Sequence, residues 1–148
     1  MVRSGMGRVE VEVTIATADG KEGVGGKALV DTGSTFTVIP ASLAKMLGLK
    51  PSAERVRVST AKGYQDLPLA HAMVGLDGKE RILPVLVSRR LEQVLLGVTT
   101  LEVMQVKVNP ITQKLDRHSA LLYIGSQPQA SHHAYNQRKA AAKAGPVV

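Results

Sequence analysis

The chain has 148 residues and no cysteine, which excludes disulfides, zinc–thiolate sites and a cysteine nucleophile. That length gives room for one domain with a substantial core and not for two, and one Phe, three Tyr and no Trp leave the core to Val, Leu, Ile, Ala and Met. The formal net charge is +7, of which Arg138, Lys139 and Lys143 supply three from residues 126–148, a stretch without acids. The remainder is mildly basic with both signs interspersed, so a basic tail explains the charge better than a face for nucleic acid. Met1 to Arg8 carry charge without an apolar h-region, and no apolar run approaches membrane-spanning length. The expectation is a cytoplasmic protein with no membrane partner.

In chain order, Val9, Val11, Val13 and Ile15 alternate with Glu10, Glu12 and Thr14, the period of a half-buried strand. Asp19-Gly20 signals a hairpin turn, and the return strand is expected from Val24 to Val30. Thr35 to Ile39 is β-branched and aromatic, reads as a short strand, and is closed by Pro40. Ala41 to Leu47 has apolar positions at helical spacing, with Gly48 placed to end a short helix. Val56, Val58 and Thr60 alternate ahead of a Lys62-Gly63 turn, Asp77-Gly78 marks another, and Ile82 to Val87 is an apolar run of buried-strand length. Val94-Leu95-Leu96 ends at Gly97, after which Thr99 or Thr100 is placed to cap a short helix through Leu101, Val103 and Met104. Val106 to Val108 leads to an Asn109-Pro110 turn, and Leu121 to Ile124 reads as a last strand.

Many short strands with two brief helices predict an all-β, barrel-like domain. From Ser126 onward Gln, Ser, His, Ala and Lys replace the strand formers. The expected organisation is a flexible N-terminus (1–8), one folded domain (9–125) and a basic, disordered tail (126–148).

The string Ala28-Leu29-Val30-Asp31-Thr32-Gly33-Ser34 drives an apolar strand straight into a carboxylate. Burying that group is costly unless it is hydrogen-bonded or shares a proton. A turn aspartate bonded to its own backbone is the plain alternative, and it suits the Asp-Gly turns at Asp19 and Asp77. Other signals carry less. The glycines between Gly20 and Lys27 fail the phosphate-loop spacing, since no Gly lies five before Gly26 and Ala28 stands where a Ser or Thr is needed. His132-His133 lacks further ligands, and His71 and His118 are isolated, so no metal site is expected. Three tail cations without an aromatic platform make a nucleic-acid partner an unfavoured reading.

Asp31-Thr32-Gly33-Ser34 resembles the active-site signature of aspartic proteases. The order of elements around it resembles the single-domain, retropepsin-like members, the homodimeric relatives of pepsin found in retroviruses and in cellular proteins. The resemblance covers roughly Val9 to Leu115: a hairpin before the signature, Ile39-Pro40, a helix ending Leu47-Gly48-Leu49, a glycine-tipped hairpin, then Leu95-Leu96-Gly97 and a helix with Leu101. It implies a closed β-barrel of the acid-protease fold with one or two short helices. Asp31 would be catalytic and, because only one Asp-Thr-Gly occurs, its counterpart would be Asp31 of a second copy. Carboxylates about 3 Å apart share one proton, so one can activate water while the other donates to the scissile carbonyl.

Within the supporting loop, Thr32 is implied to reach across to the partner chain, and Gly33 to let its amide approach the carboxylate. Ser34 is implied to donate to the outer carboxylate oxygen, favouring the ionised form and an acidic optimum. Ala61, Lys62, Gly63 and Tyr64 would form a flap over the substrate, with Tyr64 packing over the cleft. Leu95-Leu96-Gly97 would support the loop, and Leu121-Leu122-Tyr123-Ile124 would form the dimer interface. Asp116 to Tyr123 and the tail have no clear counterpart in the family.

The implied function is an aspartic endopeptidase that cuts extended polypeptides with apolar side chains beside the scissile bond. It needs no metal or organic cofactor, because water is the nucleophile. The alternative is a catalytically silent dimerisation or peptide-binding module.

Overall fold

β1 (Glu10–Ala16) and β2 (Gly23–Val30) pair antiparallel from Glu10 opposite Leu29 to Ala16 opposite Gly23, as the alternation at the start of the chain predicts. The computed structural model describes residues 9–117, so the expected dimer strand Leu121 to Ile124, the N-terminus 1–8 and the tail 126–148 lie outside the described residues. β3 (Thr37–Pro40) runs directly into α1 (Ala41–Leu47). Gly48 ends that helix in the left-handed conformation (φ 69°), its N–H donating to the carbonyls of Ala44 and Lys45. β4 (Arg55–Thr60), β5 (Gly63–Leu76) and β6 (Lys79–Ser88) are joined by the two anticipated turns, and β7 (Val94–Leu96) leads into α2 (Val98–Val103). β8 (Val106–Asn109) and β9 (Lys114–Arg117) form a separate hairpin, of which β9 was not anticipated.

Six strands close on themselves in the order β1-β2-β7-β3-β6-β5, with β5 returning to β1 through Met73–Gly75 opposite Thr14–Ala16. This is the predicted all-β, retropepsin-like closed barrel with two short helices. Its interior holds Ile15, Ala28, Ile39, Val74, Val85 and Leu96, all at most 1% exposed. Among the described residues no helix is long and apolar enough to cross a membrane.

Two features of this closure position the site. β7 lies between β2 and β3, parallel to the first (Ala28–Val30 against Val94–Leu96) and antiparallel to the second at Val38 opposite Leu95. The chain from Asp31 to Phe36 must therefore arch over the end of β7 to reach β3. Meanwhile β5 is shared between two partners. Its first part, Gly63–Pro68, pairs with β4, and its second, Leu69–Leu76, pairs with β6. The β4–β5 hairpin thus projects beyond the barrel from the Pro68–Leu69 junction.

The arch corrects two expectations. β3 begins at Thr37 rather than Thr35, because Ser34 and Thr35 give their carbonyls to α2: Val98 N–H donates to Ser34 O (2.8 Å) and Thr99 N–H to Thr35 O (3.1 Å). These bonds satisfy the free N–H groups that open the helix, so no side-chain cap is needed. The N-cap is Gly97, not Thr99 or Thr100, and Thr100 is instead buried inside the helix.

Candidate active site

Asp31 follows the last residue of β2, where strand pairing stops and the arch begins. Its N–H donates to Leu96 O (2.9 Å) on β7, which fixes the backbone, while the side chain is half-buried. Gly33 N–H donates to Asp31 Oδ1 (3.0 Å), and a Cβ on Gly33 would stand 3.4 Å from that oxygen. Thr32 is exposed, and its hydroxyl is unengaged among the described residues. Ser34 differs from expectation: its Oγ donates to Phe36 O (2.8 Å), within the arch. A hydroxyl has one proton to give, so Ser34 stiffens the loop and does not donate to the carboxylate.

Behind the arch lies a polar group of residues that the sequence did not advertise. Thr37 Oγ1 and Thr100 Oγ1 share a hydrogen bond of 2.6 Å, and Gly97 N–H donates to Thr37 Oγ1 (3.0 Å). Both threonines are 1% exposed. The bonds tie β3 to α2 and to its N-cap, Gly97, which directly follows β7.

Asp31 lines a cleft of about 590 Å³ and is the one acid in its lining among the described residues. The floor is a cross-strand row: Leu95 of β7 faces Val38 of β3, which in turn faces Leu86 of β6. Their sequence neighbours Leu96, Ile39 and Val85 point into the barrel. Phe36, Val56, Val58, Leu67 and Leu91 extend this apolar surface, the valines coming from the projecting hairpin. The floor residues were missed as site residues, although a signal existed. Runs apolar at every position, such as Val94–Leu96 and Leu83–Val87, need cover on both faces of the strand.

The hairpin tip is a two-residue turn, Ala61-Lys62, between Thr60 and Gly63 (φ 116°), closed by Thr60 Oγ1 donating to Gly63 O (2.7 Å) and accepting from Lys62 N–H (3.2 Å). Ala61, Lys62, Gly63 and Tyr64 lie beyond the cleft lining, which the hairpin reaches with Val56 to Thr60, Gln65 and Leu67. Tyr64 is 73% exposed, with the Arg57 guanidinium 5.8 Å from its ring centroid, and does not pack over the cleft. Arg57 also grips Asp66 across the hairpin through Nε–Oδ1 (3.0 Å) and Nη2–Oδ2 (3.3 Å). That hydrogen bonding, helped by the charges of Arg57 and Arg55 and opposed by desolvation, holds the Asp66 carboxyl below its ordinary value of 3.8.

Residues 11–100 match the family described as aspartyl protease. The chain belongs to the aspartyl protease family. Among solved structures, this aspartyl protease family member resembles the EIAV protease complexed with the inhibitor HBY-793, at TM-score 0.57 and 15% identity, over 74% of this chain and 99% of that one. It also resembles a retropepsin-like aspartic protease from Rickettsia conorii, at TM-score 0.51 and 23% identity, over 72% of this chain and 88% of that one. At these identities the likeness is one of fold, and it agrees with the retropepsin-like barrel described above. No curated protein matches the sequence of this family member.

Proposed function

We propose that this chain is an aspartic endopeptidase that acts as a homodimer on extended polypeptide segments. The observation that carries the reading is Asp31, a half-buried carboxylate lining an apolar cleft and the one acid there among the described residues. Hydrolysis through activated water needs a base and an acid together, and one carboxylate cannot be both at once. Asp31 of a second copy supplies the other member, and the pair shares a proton. The ionised carboxylate takes a proton from the attacking water while the protonated one donates to the scissile carbonyl and stabilises the charge that develops there.

In this reading Thr32 holds the partner's loop, and its exposure beside Asp31, with a hydroxyl unengaged among the described residues, supports that role. Gly33 and Ser34 shape the loop around the carboxylate. The β4–β5 hairpin, with Ala61, Lys62, Gly63 and Tyr64 at its tip, serves as the flap, its inward valines closing over the peptide. Leu121 to Ile124 is the proposed dimer strand, which extends the domain to residue 125. Water is the nucleophile, and no metal or organic cofactor takes part.

The test is cleavage of a quenched peptide library from about pH 3 to about pH 7, with wild type beside Asp31→Asn. Loss of the acid–base pair is expected to lower turnover by about 10²–10⁴-fold or more, with circular dichroism and oligomeric mass unchanged. Turnover that survives Asp31→Asn would sink the mechanism. A wild type that is folded, dimeric and inert would leave a silent peptide-binding module.

A further inference from the structure

We infer that the preferred substrates carry an acidic side chain on each side of the apolar segment that is cut, a specificity that rests on the endopeptidase reading above. A second concavity of about 640 Å³ lies beside the cleft, and Gln65, Leu67, Ser88 and Arg90 line both, so the two adjoin along that shared wall. Its walls bring together Lys45 from α1, Arg55 from β4, and Arg89 and Arg90 from the turn after β6. All four are exposed, and none forms an ion pair among the described residues.

The one acid in this lining among the described residues, Asp66, is already held by Arg57 through two hydrogen bonds. Arg55 gives one N–H to the main-chain carbonyl of Asp66 (3.2 Å), and its charge bears on the Asp66 carboxyl without forming an ion pair among the described residues. The apolar pit beside Asp31 therefore adjoins a shoulder of four cations, with a single acid among its described lining residues that Arg57 already holds. Guanidinium groups present forked donors that match a carboxylate, so a Glu or Asp side chain is the group this shoulder recognises.

An extended peptide advances about 3.3 Å per residue, so residues next to the scissile bond fill the pit while those a few positions further pass the shoulder. A homodimer with twofold symmetry presents the shoulder twice, once toward each end of the peptide. The pattern that follows is acidic, apolar, apolar, acidic, with the cut between the apolar pair.

The experiment uses the full chain and four quenched peptides that share one apolar centre, flanked by Glu on both sides, Glu on one side, Gln on both, or Lys on both. The expected order of kcat/KM follows that sequence, each Glu raising it by about three-fold at low salt, with the advantage shrinking as ionic strength passes about 0.15 M. The double substitution Arg89→Gln with Arg90→Gln is expected to bring the Glu-to-Gln ratio toward one. Equal rates on the Glu and Gln peptides, or a ratio untouched by that double substitution, overturns the inference. If the wild type cuts none of the peptides, the endopeptidase reading fails, and fluorescence anisotropy with the same labelled peptides decides this one. Tighter binding of the Glu peptide that depends on Arg89 and Arg90 upholds the recognition, and indifference refutes it.

Discussion

A Cβ at position 97 would lie 2.4 Å from both the carbonyl carbon and oxygen of Phe36, and 2.8 Å from Thr35 O. The backbone there (φ −92°, ψ 172°) suits any residue, so space alone demands glycine at Gly97. Gly97→Ala must lift the arch that carries Asp31, and it is expected to cost about 3 kcal/mol in urea unfolding and to depress peptide cleavage as well. An unchanged unfolding midpoint would refute this packing. Leu95-Leu96-Gly97 was legible as a support for the loop, but its reason was not, because the contact is with backbone more than sixty positions away. Thr37 and Thr100 were hidden for the same reason. A threonine in a strand or a first helical turn reads as a β-branched filler or a cap, and nothing local records a hydroxyl bond between residues 63 apart. Asp31 was legible because its cost is local: an apolar strand running into a carboxylate.

At the scale of elements, the β4–β5 hairpin is held differently from the rest. β5 pairs with β6 and β1 along the barrel, whereas among the described residues β4 pairs with β5 alone. The Arg57–Asp66 pair is the ion pair across the two arms among the described residues, and the sign of its pH dependence follows from Asp66. A carboxyl held below its ordinary 3.8 contributes stability above that value, and the contribution is lost as pH falls through the lowered one. Asp66→Asn is therefore expected to speed amide exchange over residues 55–67 near neutrality, after correction for intrinsic rates. The difference from wild type should vanish at pH values below the titration of Asp66. A gap between the two proteins that persisted there would assign the effect to something other than this pair. The strand order along the chain, the hairpin turns at Asp19-Gly20, Lys62-Gly63 and Asp77-Gly78, and the glycine stop of α1 followed from alternation and turn chemistry. The cap of α2 did not, because the carbonyls that replace it come from the Asp31 arch, and β9, Lys114–Arg117, is too short and too charged to announce itself.

The whole molecule solves one problem by closure, since the six strands of the barrel leave no open sheet end between them. The exception is β4, which offers one side of its backbone unpaired among the described residues. Along it, Arg55 and Arg57 are exposed while Val56 and Val58 face the cleft. Cations on an open edge discourage another strand from adding to it. The same arginines that flank the cleft therefore also act as gatekeepers against aggregation. Replacing Arg55 and Arg57 with valine leaves a run of five residues, 55–59, with high strand propensity and no charge, which is the composition of a cross-β segment. The doubly substituted protein is expected to show concentration-dependent light scattering and thioflavin fluorescence under conditions where the wild type stays clear. Equal solubility of the two would mean that the edge is covered some other way. The opening that lets an extended chain approach Asp31 is thus also the place where this fold is exposed to its own misassembly, and the charges there admit one kind of strand while turning away the other.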